Sequence, residues 1–140
     1  MYAANELADF VVAARKHYDI AAPIALGYSN GANIAAAILL LRSRVLAGAI
    51  LLRATLPLSH PAPTDLTGVP VLINSGAHDP MMSPQGSESL ARKLQQDGAV
   101  VELRTLPTGH ELSQTDVSLA KQWLRTVVSS PDQRSGRSVP

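Results

Sequence analysis

Pro23-Ile24-Ala25-Leu26-Gly27-Tyr28-Ser29-Asn30-Gly31 runs into Ala32-Asn33-Ile34-Ala35-Ala36-Ala37-Ile38-Leu39-Leu40-Leu41, and the join between the two decides the fold. The first run opens with a proline and holds a short apolar segment of strand length. The second is rich in Ala, Ile and Leu and has helical composition. Between them stands Gly27-x-Ser29-x-Gly31. A strand, then Gly-x-Ser-x-Gly, then a helix is the context of a nucleophile elbow. The turn is so tight that the residues two before and two after the serine are expected to lack side chains. It lifts the hydroxyl above the sheet edge and points a helix N-terminus at it. The five-residue pattern alone turns up by chance in roughly 5% of chains this long, so the flanks carry the weight.

Partners for the serine follow in order. Val69-Pro70-Val71-Leu72-Ile73-Asn74 reads as a buried strand, and Ser75-Gly76-Ala77-His78-Asp79-Pro80 follows it. Val100-Val101-Glu102-Leu103-Arg104-Thr105 reads as another, followed by Leu106-Pro107-Thr108-Gly109-His110-Glu111. Ser29, Asp79 and His110 each stand just past the C-terminal end of a predicted strand, where open parallel sheets place their chemistry. Ser, then Asp, then His is the order of a hydrolase triad on such a sheet. Asp79 also precedes Pro80, a pair that commonly starts turns. His78 and His60 read as exposed loop residues, and His17 as a solvated helix residue.

The elements between these motifs alternate. Glu6 to about Tyr18 is amphipathic, with Leu7, Phe10, Val11 and Ala14 on one face. The helix after the elbow runs from Asn30 to about Arg42 and is apolar nearly all round, hence buried on most sides. Gly48 to Leu52 is a short buried strand, and Arg53 to Gly68 a loop over the C-terminal sheet edge. Ser83-Pro84 supplies an N-cap and a proline at the first helical position, for a helix to Gln96. Ser113-Gln114-Thr115-Asp116 reads as a capping box for a last helix carrying Val117, Leu119, Ala120, Trp123 and Leu124. Four strands alternating with helices predict an α/β fold: a three-layer sandwich around a mostly parallel, doubly wound sheet. Residues 1–128 form the predicted domain, and 129–140 a polar tail of disordered composition.

At 140 residues the chain is one domain, able to bury roughly 68% of the surface exposed when unfolded. Aromatics are only 4%, so the core is aliphatic. A net charge of +1 argues against nucleic acid or an anionic membrane as the main partner. The absence of cysteine excludes disulfide and thiol chemistry and suits a reducing cytoplasm. The longest apolar runs fall far short of the roughly 20 residues of a membrane span. No Gly-rich phosphate loop or metal-spaced His/Asp/Glu cluster stands out, so no metal and no cofactor is expected.

Gly-Tyr-Ser-Asn-Gly-Ala-Asn at 27–33, Leu-Leu-Arg-Ala at 51–54, Ser-Gly-Ala-His-Asp-Pro at 75–80 and Gly-His-Glu-Leu at 109–112 resemble the carboxylesterase/phospholipase-type α/β-hydrolases. The likeness is greatest to the small bacterial subgroup that includes hydroquinone-associated esterases, and it runs from about Glu6 to Leu124. It implies Ser29 as nucleophile, His110 as general base and Asp79 as the orienting carboxylate, acting on a small ester. The Asn30 backbone N–H would then be one oxyanion donor. Leu56, Met81 and Met82 read either as the lining of a small acyl or aryl pocket or as loop anchors on the core.

In that family several strands and a His-Gly or Arg-Gly loop precede the elbow, and the loop brings the second oxyanion donor. Met1 to Ala22 holds one helix and no glycine. The chain is therefore expected to resemble the C-terminal part of such a hydrolase. Its elbow strand is then expected to have a bare outer edge, open to pairing in a homodimer.

Overall fold

The computed structural model describes residues 2–129. The expected tail lies, apart from Ser129, outside the described residues. The elements in chain order are α1 (Tyr2–Tyr18), β1 (Ile24–Tyr28), α2 (Asn30–Leu41), β2 (Gly48–Leu52), β3 (Pro70–Gly76), α3 (Pro84–Gln96), β4 (Val100–Leu106) and α4 (Gln114–Val128). The strands form one sheet in the order β1-β2-β3-β4, parallel throughout. Helices cover both faces, so the fold is the expected three-layer α/β sandwich.

β2 and β3 are central and buried on both faces, which is why they read as continuous apolar runs rather than alternating ones. Ala49, Leu51, Val71 and Ile73 face one way and join the main core with α1, α2 and α3. Ile50, Leu52 and Leu72 face the other way and meet Trp123 and Val127 of α4. Ser83 accepts from the Gly86 N–H to cap α3, with Pro84 in its first turn. Ser113 and Asp116 form the reciprocal capping box of α4. Local chemistry thus determines where both helices begin.

α1 differs from expectation on two counts. It starts at Tyr2 rather than Glu6, and it buries Ala4 and Ala8, with Val11 half-buried, instead of the Leu7–Phe10 stripe. Alanines let α1 approach α2 closely; Phe10 is left 68% exposed. In α4, Val117 is exposed, while Val127 takes a core position beside Trp123.

The two sheet edges are unlike. β4 carries Glu102 and Arg104, charges that discourage edge pairing. β1 carries none. Pro23 C=O and Ser29 N–H bond to the β2 side, so alternation turns the peptide groups of Ile24, Leu26 and Tyr28 outward. Leu26 is 68% exposed. Beside it runs an apolar groove of about 300 Å³ lined by Leu7, Val11, Ala25, Leu26, Gly31 and Ile34, among others.

Candidate active site

Ser29 joins β1 to α2 with φ 57° and ψ −118°. This left-handed conformation is costly for a residue with a Cβ and is retained where the surroundings over-determine it. Here the Ser29 N–H donates to Leu52 C=O at 2.9 Å, and Ser29 C=O accepts from the Asn33 N–H at 3.0 Å to start α2. Gly27 is required by contact: a Cβ there would lie 2.7 Å from Ala32 N and from the carbonyl group of Gly31. Gly31 is not, since a Cβ on it would meet nothing within 4 Å. That half of the expectation fails because Gly31 faces the open groove beside β1.

Asp79 follows β3 through a turn closed by its own N–H to Gly76 C=O, 3.1 Å. Its Oδ1 accepts from the amides of Met81 (2.8 Å) and Met82 (2.9 Å). Oδ2 is left for His110 Nδ1, at 2.8 Å. Turn-starter and partner of the histidine are therefore one residue using two oxygens. Burial pushes the Asp79 carboxyl up, but the Met82 amide, the His110 ring and the Met81 amide outweigh it and hold the carboxyl below its ordinary value.

His110 Nε2 lies 2.9 Å from Ser29 Oγ, completing an unbroken chain from Asp79 through His110 to Ser29. An ionised carboxylate only accepts, so Nδ1 carries the hydrogen and Nε2 of the neutral ring accepts from the serine hydroxyl. The histidine side chain is 18% exposed and the Asp79 side chain fully buried. Elements 81 and 31 residues apart meet because the loops are stitched together: Ala77 N–H donates to Leu106 C=O and His78 N–H to Thr108 C=O. Gly76 permits this, since a Cβ there would collide with the carbonyls of Gly109 and Thr108. Asn30 is the first residue of α2 and stands exposed beside the hydroxyl, with its amide in the helix's unpaired first turn.

The three apolar candidates separate. Met82 sulfur accepts from Thr55 Oγ1 at 3.6 Å and from Asn33 Nδ2 at 3.8 Å, while Asn33 Oδ1 accepts from the Thr55 amide. Met81 stands 68% exposed beside Asp79. Leu56 packs against the main core and lines a different cavity, with His60, Arg92 and Lys93.

Two residues around the histidine went unread in the sequence. Arg53, one residue past β2, is fully buried with φ 61°. Its Nη1 and Nη2 each donate to an Asp116 oxygen at 2.9 Å. Nε donates to Gly109 C=O (3.0 Å), and Nη2 also reaches Glu111 C=O (2.8 Å) and Thr108 Oγ1 (3.1 Å). Tyr28 Oη donates to His110 C=O at 3.0 Å, its ring 5.3 Å from the imidazole. The signals available were a charged residue directly after a buried strand and the place of both residues in the stretches 27–33 and 51–54 that carry the family resemblance.

Among the described residues, no group of three or more His, Cys, Asp or Glu is placed to hold a metal, and no helix is long and apolar enough to cross a membrane.

Known proteins resemble this chain in sequence and in fold. The pattern of the Phospholipase/Carboxylesterase family matches residues 3–128. MhqD of Bacillus subtilis (strain 168), named as a hydrolase, is 38% identical over 126 residues, covering 89% of this chain and 63% of MhqD. The crystal structure of a Bacillus cereus carboxylesterase superposes with TM-score 0.82 at 36% identity, over 86% of this chain and 57% of that one. A Mesorhizobium loti carboxylesterase gives 0.81 at 35% identity, over 87% and 59%. The chain thus spans about three fifths of the length of these relatives.

Proposed function

This chain belongs to the phospholipase/carboxylesterase family, and we propose that it is a serine esterase that cleaves small carboxylic esters through an acyl-enzyme on Ser29. The hydrogen-bonded chain Asp79–His110–Ser29 carries this reading. A serine hydroxyl is a weak nucleophile until a base within hydrogen-bond reach takes its proton. In the proposed cycle Ser29 Oγ attacks the ester carbonyl carbon while its proton passes to His110 Nε2. Asp79 stabilises the imidazolium that forms and holds its tautomer. The carbonyl oxygen, now negative, takes a hydrogen bond from the Asn30 amide at the positive end of α2. The C–O bond to the alcohol then breaks, and His110 returns its proton to the leaving alkoxide. Water repeats the sequence on the acyl-enzyme: His110 takes its proton, the acid departs and Ser29 is restored. No cofactor enters. Met81 and Met82, next to Asp79, would wall the substrate, with thioether side chains adaptable to different acyl groups. Leu56, turned to the other cavity, contributes less. The cysteine-free composition suits a cytoplasmic setting.

The test is a fluorescent fluorophosphonate on the purified chain and on Ser29→Ala. Labelling of the parent alone is expected; no labelling of a folded parent would reject the reading.

A second reading rests on the outer edge of β1. Outward peptide groups at Ile24, Leu26 and Tyr28, paired with no strand among the described residues, an apolar groove and the lack of charge suit pairing with a further strand, in a second copy for instance. Under this reading the chain associates through β1 without catalysing. Light scattering of a catalytically silent but dimeric chain would favour it.

A further inference from the structure

We propose that Arg53, assisted by Tyr28, is the positioning residue for His110: three consecutive carbonyls bracketing the histidine are each held by a side chain from the ends of β1 and β2. The inference rests on His110 being the base. His110 sits in a segment with no helix or strand of its own, between β4 and α4. A backbone of that kind has no ladder to keep it in place. Instead Gly109 C=O accepts from Arg53 Nε, His110 C=O from Tyr28 Oη, and Glu111 C=O from Arg53 Nη2. Thr108 Oγ1 takes a further bond from Nη2.

A merely stabilising role explains this arrangement poorly. Asp116 already pairs Arg53 in a bidentate fork, and it is further held by Asn74 Nδ2, the Ser113 amide and Ser113 Oγ. A buried ion pair of this sort can often be replaced by apolar residues without loss of stability. An apolar pair could not hold the carbonyls of Gly109 and Glu111 on either side of His110. Only a planar guanidinium presents donors in a fixed fork that serves Asp116 on one side and, on the other, the Thr108 hydroxyl with the Gly109 and Glu111 carbonyls. Asp116 neutralises the cation and aims it. Arg53 in turn holds the loop so that Nε2 meets Ser29 Oγ at 2.9 Å. Misplacing a reacting group by about 1 Å can lower a rate on the order of 100-fold.

The experiment uses the full chain, Arg53→Lys and Tyr28→Phe. Lysine keeps the charge but cannot reproduce the fork. Phenylalanine removes one hydroxyl from a partly exposed ring and keeps the fold if Arg53→Lys fails to. Two quantities are measured on folded protein. One is the concentration dependence of fluorophosphonate labelling, giving kinact and KI; the other is the NMR signal of the His110 Nδ1 proton. Positioning predicts that Arg53→Lys lowers kinact about 100-fold, that Tyr28→Phe lowers it several-fold, and that KI is unchanged. The Nδ1 proton should lose its protection from exchange in the same order. Unchanged kinact and an unchanged Nδ1 signal in a folded variant would overturn the inference while leaving the esterase reading intact. A parent that never labels, yet loses its Nδ1 signal in Arg53→Lys, would reject the esterase reading and keep Arg53 as the residue that places His110.

Discussion

Alanine at position 27 and alanine at position 31 should have opposite effects, although both replace a glycine of the same Gly-x-Ser-x-Gly turn. At 27 the new Cβ would lie 2.7 Å from three atoms, Ala32 N and the C and O of Gly31, and ordinary contact begins at 3.4 Å. All three belong to the backbone of the first turn of α2, so no change of rotamer relieves the clash. Overpacking of this kind costs about 1–3 kcal/mol, and the rigidity of the contacting atoms places Gly27→Ala in the upper half of that range. For a chain of this size 1 kcal/mol moves the melting temperature by about 4 °C, so the expected loss is about 8–12 °C. At 31 the Cβ would enter open space. Glycine inside a helix costs about 0.5–1 kcal/mol relative to alanine, so Gly31→Ala should gain about 2–4 °C. Thermal unfolding followed by circular dichroism reads both. A Gly27→Ala melting point within a degree or two of the parent would refute the close approach at the elbow. A loss at Gly31→Ala as large as that at Gly27→Ala would show that the outer side of β1 is covered in solution, contrary to an open groove.

Asp79→Asn should lower fluorophosphonate labelling by roughly 1,000- to 10,000-fold, because a carboxamide can donate to Nδ1 and so favour the tautomer whose Nε2 cannot accept from Ser29. A loss below tenfold would remove Asp79 from the proposed role. Asp116→Asn should cost about 3–5 kcal/mol at neutral pH, since it leaves the Arg53 cation buried without its counter-charge. Burial raises the Asp116 carboxyl, but the bonds from Arg53 and Ser113 outweigh it and hold the carboxyl below its ordinary value. The stabilisation is therefore complete above that value and is lost as pH falls through the lower folded-state pKa. Urea unfolding should show the gap between parent and variant closing below about pH 4; a gap constant down to pH 2 would contradict the charge-based account. Leu26→Lys should convert any dimer seen by light scattering to a 14.8 kDa monomer, because it sets a charge on the bare edge strand. A dimer that survives it pairs elsewhere.

What the sequence could determine is short-range. The elbow, the strand-length apolar runs and the two N-terminal caps are written within windows of a few residues, where turn chemistry and periodicity act directly. So the order Ser29, Asp79, His110 and the α/β class were legible before any coordinates. Long-range pairing was not. Arg53 reads as the first residue of a loop, yet its buried partner is 63 residues away in a capping box that looked complete by itself. Helical spacing put Leu7, Phe10, Val11 and Ala14 on one face of α1. Val11 packs on the core and Ala14 is half-buried, but Leu7 and Phe10 stay exposed and Ala4 and Ala8 are the residues buried at the core. The motif asked for two bare glycines, while packing around β1 enforces only Gly27. Periodicity says which residues share a face; only the tertiary structure decides which face is covered, because that depends on what stands opposite.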